Sequence, residues 1–471
     1  LTNVKNIQNF GRSFRLVAPF QVKENTEKEH EIIRSQQKNI EALLSAEGFK
    51  FEPDALAFFK TQSGSATFIR RLSYEPLPLG RSLAAKFGLI YIQDRSSMLP
   101  PLALNPSLGS LVLDMCASPG SKTGELAQLI GSEGLVIGNE PGKNRLPVLR
   151  SNLTHLNLWQ SVTSSYKAEA YPLSSGLLEY IQLDPPCSGW GTLDKNPKVM
   201  ELWTVEKTNT LVHLQRILLK EAVRLLKVGG RLVYSTCTTN IKENEEQIVW
   251  AKEQLGLKLI PLPTLSEFNQ SEAYLAESSG VWRINNIENN EGKKTEQNGQ
   301  GFFVALLEKT ENVVDSSNDK KIEFFKEYKK QAVENIEINL SALEEFGYDI
   351  SRLGQGSLAV FGKEVHLLPY KARKLFAEET IDWRGLPIGK YGNFGVKPLN
   401  SLRRFMPSLE EAEKNNQALS LTSTEDLKKL LTGLSLDSGP LSADAKFVFL
   451  YYNDLALCRL IKKGKRLLFG E

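Results

Sequence analysis

Leu111-Val112-Leu113-Asp114-Met115-Cys116-Ala117-Ser118-Pro119-Gly120-Ser121-Lys122 reads as a short apolar strand, a glycine-containing turn and the opening of a helix. Leu126, Leu129 and Ile130 continue at helical spacing until Gly131 and Gly134 close the helix. A second strand, Leu135 to Gly138, ends at Asn139-Glu140, and Leu149, Leu153 and Leu156 mark another helix. Val162 to Ser165 is a weak strand and Tyr180 to Leu183 a stronger one. Leu211 through Leu226 carries a long helix, stopped by Gly229-Gly230, and Arg231 to Tyr234 is again strand. Strand and helix in strict alternation predict an α/β fold, a Rossmann-like doubly wound parallel sheet with helices on both faces. Such sheets bind ligands outside the carboxyl ends of their strands.

Three cysteines fall at those ends. Cys116 follows the first strand, Cys187 follows Leu183-Asp184-Pro185-Pro186, and Cys237 follows Tyr234-Ser235-Thr236. Taken singly, a cysteine is more often a small buried apolar residue than a reactive one. Two at adjacent strand ends, with Asp184 beside one, shift the reading towards chemistry. Asn240 and Glu243 have the spacing of a capping box, which predicts a helix N-terminus just after Cys237 and a thiol favoured as thiolate. A thiolate suits carbon 5 of a pyrimidine: addition at carbon 6 makes carbon 5 nucleophilic enough to take a sulfonium methyl. Asp184 is placed to hydrogen-bond the base near nitrogen 3, and Cys187 to assist the final elimination. The base must leave its stack for this, which favours single-stranded or remodelled RNA.

The first loop lacks the glycine spacing of a P-loop and the G-x-G-x-x-G of dinucleotide sites. Glu140 lies twenty residues after Gly120, where a carboxylate accepts from ribose hydroxyls, so a nucleoside cofactor without pyrophosphate is expected.

Composition sets the bounds. The chain has 471 residues, 41% hydrophobic and 24% charged, enough for two or three globular domains. The net charge of +3 leaves any polyanion binding to local patches such as Lys462 to Arg466 and the arginines between 70 and 95. Four cysteines, without a C-x-x-C pair, and four scattered histidines predict neither a disulfide scaffold nor a metal site. The same cysteine usage makes a reducing cytoplasm the expected setting. No apolar run is long enough to span a bilayer, and no charged-then-apolar signal peptide is read in the sequence.

With these residues in view, the chain resembles the RNA (cytosine-5)-methyltransferase family of the Nop/Sun type. The resemblance rests on Tyr91 to Met98, Asp114 to Thr123, Asn139-Glu140, Asp184 to Gly189 with Gly191-Thr192, Lys195-Asn196-Pro197, and Tyr234 to Cys237 with Glu243-Asn244-Glu245. It covers roughly residues 80–308. It implies S-adenosylmethionine as methyl donor, held by Cys116, Ala117, Ser118, Pro119, Gly120, Ser121 and Lys122 with Glu140 and Asp184. It implies Cys237 as nucleophile and Cys187 as the thiol that aids product release. Two departures stand out. Ser121 replaces the second glycine of the usual P-G-G-K, and Lys167 stands where an adenine-binding aspartate is usual, leaving weaker cofactor binding or substitution by Glu169 as alternatives.

The C-terminal part, with Leu386-Pro387-Ile388-Gly389 and Lys397-Pro398-Leu399, is similar to the tail of the bacterial RsmF subgroup, which implies a PUA-like α+β RNA-binding unit and a ribosomal RNA or small-subunit partner. The expected organisation is an N-terminal α+β RNA-binding region at 1–107, the methyltransferase domain at 108–308, a linker at 309–322 and the C-terminal unit at 323–471. The tail contains an expected helix from Phe325 to Ala332, a turn-rich segment from Trp383 to Leu399 and a closing hairpin around Asn453-Asp454. The same chemistry on transfer RNA, and a catalytically weak RNA-binding assembly factor, are the alternative functions.

Overall fold

The computed structural model describes residues 12–18, 26–62, 64–193, 198–266, 268–285, 301–312, 337–338, 340–353, 356–379, 383–393, 395–437 and 447–470. The expected helix at Phe325–Ala332, most of the linker and Lys195-Asn196-Pro197 lie outside them.

The central sheet is built from β1 (Leu111–Asp114), β2 (Leu135–Asn139), β3 (Ser161–Ser164), β4 (Leu178–Leu183), β5 (Leu226–Thr236) and β6 (Phe302–Lys309). Their order is β3-β2-β1-β4-β5-β6, with β1 to β5 parallel and β6 antiparallel to β5. The order reverses between β1 and β4, which opens the crevice expected of a doubly wound sheet. Helices α1 (Ser121–Leu129), α2 (Leu146–His155), α3 (Val205–Leu225) and α4 (Glu245–Gln254) cover the faces. Alternate residues feed the two faces: Leu113, Ile137, Ile181, Leu232 and Phe303 join α3 and α4, whereas Val112, Val136, Val233 and Val304 join α1 and α2. With both faces dry, the strands read as continuous apolar runs rather than as alternation.

The long helix ends at Leu225, four residues before Gly229, which with Gly230 lies inside β5. The segment expected to be turn-rich is instead mostly strand: Trp383–Arg384, Leu386–Gly392 and Gly395–Pro398. Trp383–Arg384 pairs with β3 and so extends the central sheet from the C-terminal part of the chain.

The N-terminal part forms a four-stranded antiparallel sheet (Lys50–Pro53, Ile69–Tyr74, Ser13–Leu16, Ile90–Gln93) with a helix at Glu27–Ala46 that starts in a Thr26/Glu29 capping box. Its apolar face is closed by the C-terminal hairpin. Phe14, Leu43, Leu83 and Ile90 share one core with Leu430, Val448, Leu450 and Leu460.

Arg15 ties the N-terminal sheet to α1. It is fully buried, donates to Gln93 Oε1 at 2.8 Å and to the Ser121 carbonyl at 3.0 Å, and also bonds Gln128. Gln93 in turn donates to Glu125 Oε2 at 3.0 Å. Burial pushes the Glu125 carboxyl up to about 8 despite the opposing Arg15 charge. The folded group thus keeps its proton where the unfolded one, at 4.5, has lost it. The Glu125 contribution to folding stability therefore falls as pH rises from about 4.5 and levels off above about 8. The Glu125 contribution between pH 6 and 8 is about 2 kcal/mol. Asp114, pushed up to about 6 by burial, acts in the same sense at lower pH. Urea unfolding at pH 6, 7 and 8 checks this: Glu125→Gln flattens the slope, and an unchanged slope overturns the assignment.

Candidate active site

The loop after β1 turns at Gly120, whose φ of 103° lies in the left-handed region that favours glycine. Ser121 is already the first residue of α1, with a helical backbone, so a side chain costs nothing there. The loop is braced by α2 and the turn before it: Arg145 donates to the Ser118 carbonyl at 2.8 Å and Asn152 to that of Pro119 at 2.8 Å. Glu140, at the end of β2, is buried. Its Oε1 accepts the Gly142 amide at 2.7 Å and its Oε2 faces Arg145 at 3.4 Å. Each carboxylate oxygen has a second lone pair for a hydroxyl. Asp114 Oδ2 accepts from Thr123, and its Oδ1 is buried beside Gln182 without a hydrogen bond of ordinary geometry among the described residues. An acid at the second strand end and an acceptor under the loop at the crevice fit a ribonucleoside cofactor. Lys167 is exposed and Glu169 half-buried in the one-turn helix that follows.

β4 and β5 are parallel neighbours with Leu183 opposite Tyr234, so the residues after them leave the sheet side by side. The sulfurs of Cys187 and Cys237 stand 3.4 Å apart. Either sulfur can donate in this contact; the electrostatics favour the Cys187 thiol as donor and the Cys237 sulfur as acceptor. This contact holds Cys187 well above the usual thiol range, and burial adds to the effect. The same contact pulls Cys237 down against burial and Asp184, with help from the Lys122 ammonium. One sulfur is therefore the anion-forming member and the other keeps its proton. Cys116, the third strand-end cysteine, is held well above the usual range by burial and by Asp114 and stays a thiol.

Asp184 sits between the cofactor loop and the thiols. Its Oδ2 accepts from Lys122 Nζ at 2.6 Å and its Oδ1 from Ser235 Oγ at 2.9 Å. Burial lowers Lys122, but Asp184 outweighs it and the ammonium is held above its ordinary value.

The acidity of Cys237 does not come from a helix N-terminus. Asn240 caps only the single turn Ile241–Glu243, and α4 begins at Glu245. Glu243 does not return a cap to the Asn240 backbone; its carboxylate is fully buried between the two cysteine loops. It accepts from the Ser188 amide at 2.9 Å, Ser188 Oγ at 2.6 Å, Gln215 Nε2 at 3.0 Å and Asn240 Nδ2 at 2.9 Å. Gly191 donates to the Cys237 carbonyl at 3.0 Å, and a Cβ there would lie 2.2 Å from the Gly301 oxygen. The Cys187 loop is thereby stitched to the backbone of Cys237. Sequence reasoning marked Glu243, Ser188 and Ser235 as parts of a pattern but missed these roles, and it missed Gln215 altogether. The asparagine–glutamate spacing was the one available signal, and it pointed to a cap.

A family profile described as 16S rRNA methyltransferase RsmB/F matches residues 101–308. The chain is 30% identical over 379 residues to the ribosomal RNA small subunit methyltransferase F of Shewanella amazonensis, covering 79% of this chain and 77% of that one. It is 34% identical over 245 residues to the protein of the same description from Salmonella heidelberg, spanning 51% of this chain and about half, 49%, of that relative. Among solved structures, that of PH0851 is 26% identical with a TM-score of 0.50, covering 63% of this chain and 59% of that one. A methyltransferase homologue from Pyrococcus horikoshii is 29% identical with a TM-score of 0.49, over 64% and 87%. Fold, paired thiols and relatives together define an S-adenosylmethionine-dependent RNA cytosine-5 methyltransferase that works through a cysteine. More narrowly, the chain belongs to the RsmB/F family of 16S rRNA methyltransferases.

Proposed function

We propose that the acceptor is a cytosine of small-subunit ribosomal RNA, that Cys237 is the nucleophile, and that Cys187 and Asp184 complete the catalytic set. The observation that carries this reading is the 3.4 Å sulfur pair, polarised so that Cys237 is the more acidic thiol. Cys237 adds to carbon 6 of the extruded base, and the electron pair released at carbon 5 forms the new bond. S-adenosylmethionine, when bound, supplies the methyl group to that carbon. Residues Cys116 to Lys122, Glu140 and Asp184 would hold it, the Glu140 carboxylate taking ribose hydroxyls. Asp184, kept oriented by Lys122 and Ser235, takes the base edge near nitrogen 3. Once Cys237 is a thioether it no longer receives the hydrogen bond that keeps Cys187 protonated. Cys187 then gives its proton to solvent and as thiolate takes the carbon 5 proton; the carbon 5–hydrogen pair forms the carbon 5–carbon 6 double bond, the carbon 6–sulfur bond breaks, and its pair returns to Cys237.

The domain boundaries near 107, 308 and 322 belong to the same reading, with the flanking regions as RNA-binding parts. So does a cytoplasmic setting, where ribosomal subunits are assembled. Among the described residues no helix is long and apolar enough to cross a membrane.

Purified protein with radiolabelled cofactor, offered small ribosomal subunits, free small-subunit RNA and transfer RNA separately, tests the substrate. Label is expected at carbon 5 of a cytosine in ribosomal RNA; label confined to transfer RNA defeats the assignment.

A further inference from the structure

A cavity of about 660 Å³ lies between α2, β3 and the C-terminal part of the chain. None of the thiol or cofactor-loop residues lines it. It sits at the β3 edge, three strands from β4, roughly 14 Å across the sheet from the strand that leads into the Cys187 loop. Its charged lining consists of Lys86, Arg150, Arg384 and Arg403 against a single carboxylate, Glu364.

Two of the guanidiniums rise from one point. Arg150 Nε donates to Thr163 Oγ1 at 3.0 Å, and Arg384 is the strand partner of Thr163, whose hydroxyl faces the Arg384 carbonyl at 3.3 Å. The terminal nitrogens of Arg150 have no acceptor among the described residues, and Arg384 meets Glu364 only at 3.9 Å. No described carboxylate lies within ion-pair distance of Lys86, Arg150 or Arg403. Arg403 is buried on the carbonyls of Gly88, His155 and Leu156 and holds its positive charge in the wall without a carboxylate partner among the described residues. Burial and then Arg384 lower Arg150 against the Glu364 charge, and burial lowers His155 against its hydrogen bond to the Ala85 carbonyl, with smaller help from Arg403 and Lys86. The remaining wall is apolar, with Phe87 and Phe469 in edge-to-face contact at 6.1 Å beside Leu386.

Two guanidiniums that share the one carboxylate Glu364, beside an apolar, aromatic wall, match a phosphate joined to a planar base. The volume is too large for a lone phosphate. We propose that this cavity is a second binding site, for a nucleoside monophosphate unit, with the phosphate on Arg150 and Arg384 and the base against Phe87, Phe469 and Leu386. The unit is either a free mononucleotide or one nucleotide of a bound RNA. The free form does not depend on the identity of the methyl acceptor; the RNA form rests on that reading.

The test measures GMP binding by calorimetry with S-adenosylhomocysteine saturating, which blocks the cofactor crevice. Saturable binding of one GMP per chain is expected, with guanosine weaker. Arg150→Gln weakens GMP about tenfold. Ser401→Trp, a change at an exposed lining residue, fills the cavity and abolishes GMP binding while leaving S-adenosylhomocysteine binding intact. A raised KM for RNA with unchanged kcat in Ser401→Trp assigns the site to an RNA nucleotide. Unchanged RNA kinetics with lost GMP binding assigns it to a free mononucleotide. Absence of saturable GMP binding to the wild type, or undiminished binding by both variants, overturns the proposal.

Discussion

Cys237→Ala lowers methyl transfer by roughly four orders of magnitude or more while leaving cofactor affinity intact. The size follows from the site. Carbon 5 of cytosine is a poor nucleophile, and within the described site the group placed to activate it covalently is the sulfur that the Cys187 contact and Lys122 favour as thiolate. Asp184 and Lys122 bond each other whether or not the Cys237 sulfur is present, so the cofactor crevice keeps its shape. Single-turnover transfer from labelled cofactor, with calorimetry as the control for binding, measures both. Activity within about tenfold of wild type would remove Cys237 from the nucleophile's place.

Cys187→Ala has the opposite signature. Product release stalls, and a protein–RNA adduct that survives denaturation accumulates, visible as a shifted band that nuclease removes. Cys187 is also the donor that pulls Cys237 down, so alanine lets Cys237 rise towards its ordinary thiol value of 9.0. Adduct formation in the variant is therefore slower at neutral pH and climbs with pH over a range displaced upward from that of the wild type. The double variant Cys187→Ala/Cys237→Ala forms none. Normal turnover by Cys187→Ala would show that elimination proceeds without the second thiol.

The central fold and the position of the thiols were legible because they depend on local pattern. Runs such as Leu111 to Leu113 and Tyr180 to Leu183 announce buried strands, and a cysteine just beyond such a run has few places to go. What was not legible depends on distant partners. Lys122 and Asp184 are 62 positions apart, and the Glu243 carboxylate meets Ser188 across 55. The Asn240–Glu243 spacing is satisfied equally by a helix cap and by this buried carboxylate; Ser188, Gln215 and the closed loop decide between them. Trp383–Arg384 is two residues long, below any periodicity, yet its pairing with β3 builds one wall of the nucleotide-sized cavity. The closing hairpin was readable from Phe447 to Tyr452, but its packing partner was not, since an apolar stripe does not say which other stripe will cover it.

That hairpin bears on how the protein is made. Ile90 and Phe14 wait for Val448 and Leu460, more than 350 positions downstream. At ribosomal speeds of about 5–20 residues per second, the first-made sheet spends on the order of 20–70 s with a greasy flank uncovered. The methyltransferase sheet can form in the meantime, because its strands lie close together in sequence. The N-terminal sheet is thus the stretch that nascent-chain chaperones should hold longest, and a ribosome stalled before the hairpin emerges leaves a catalytic core attached to a sticky, unfinished arm.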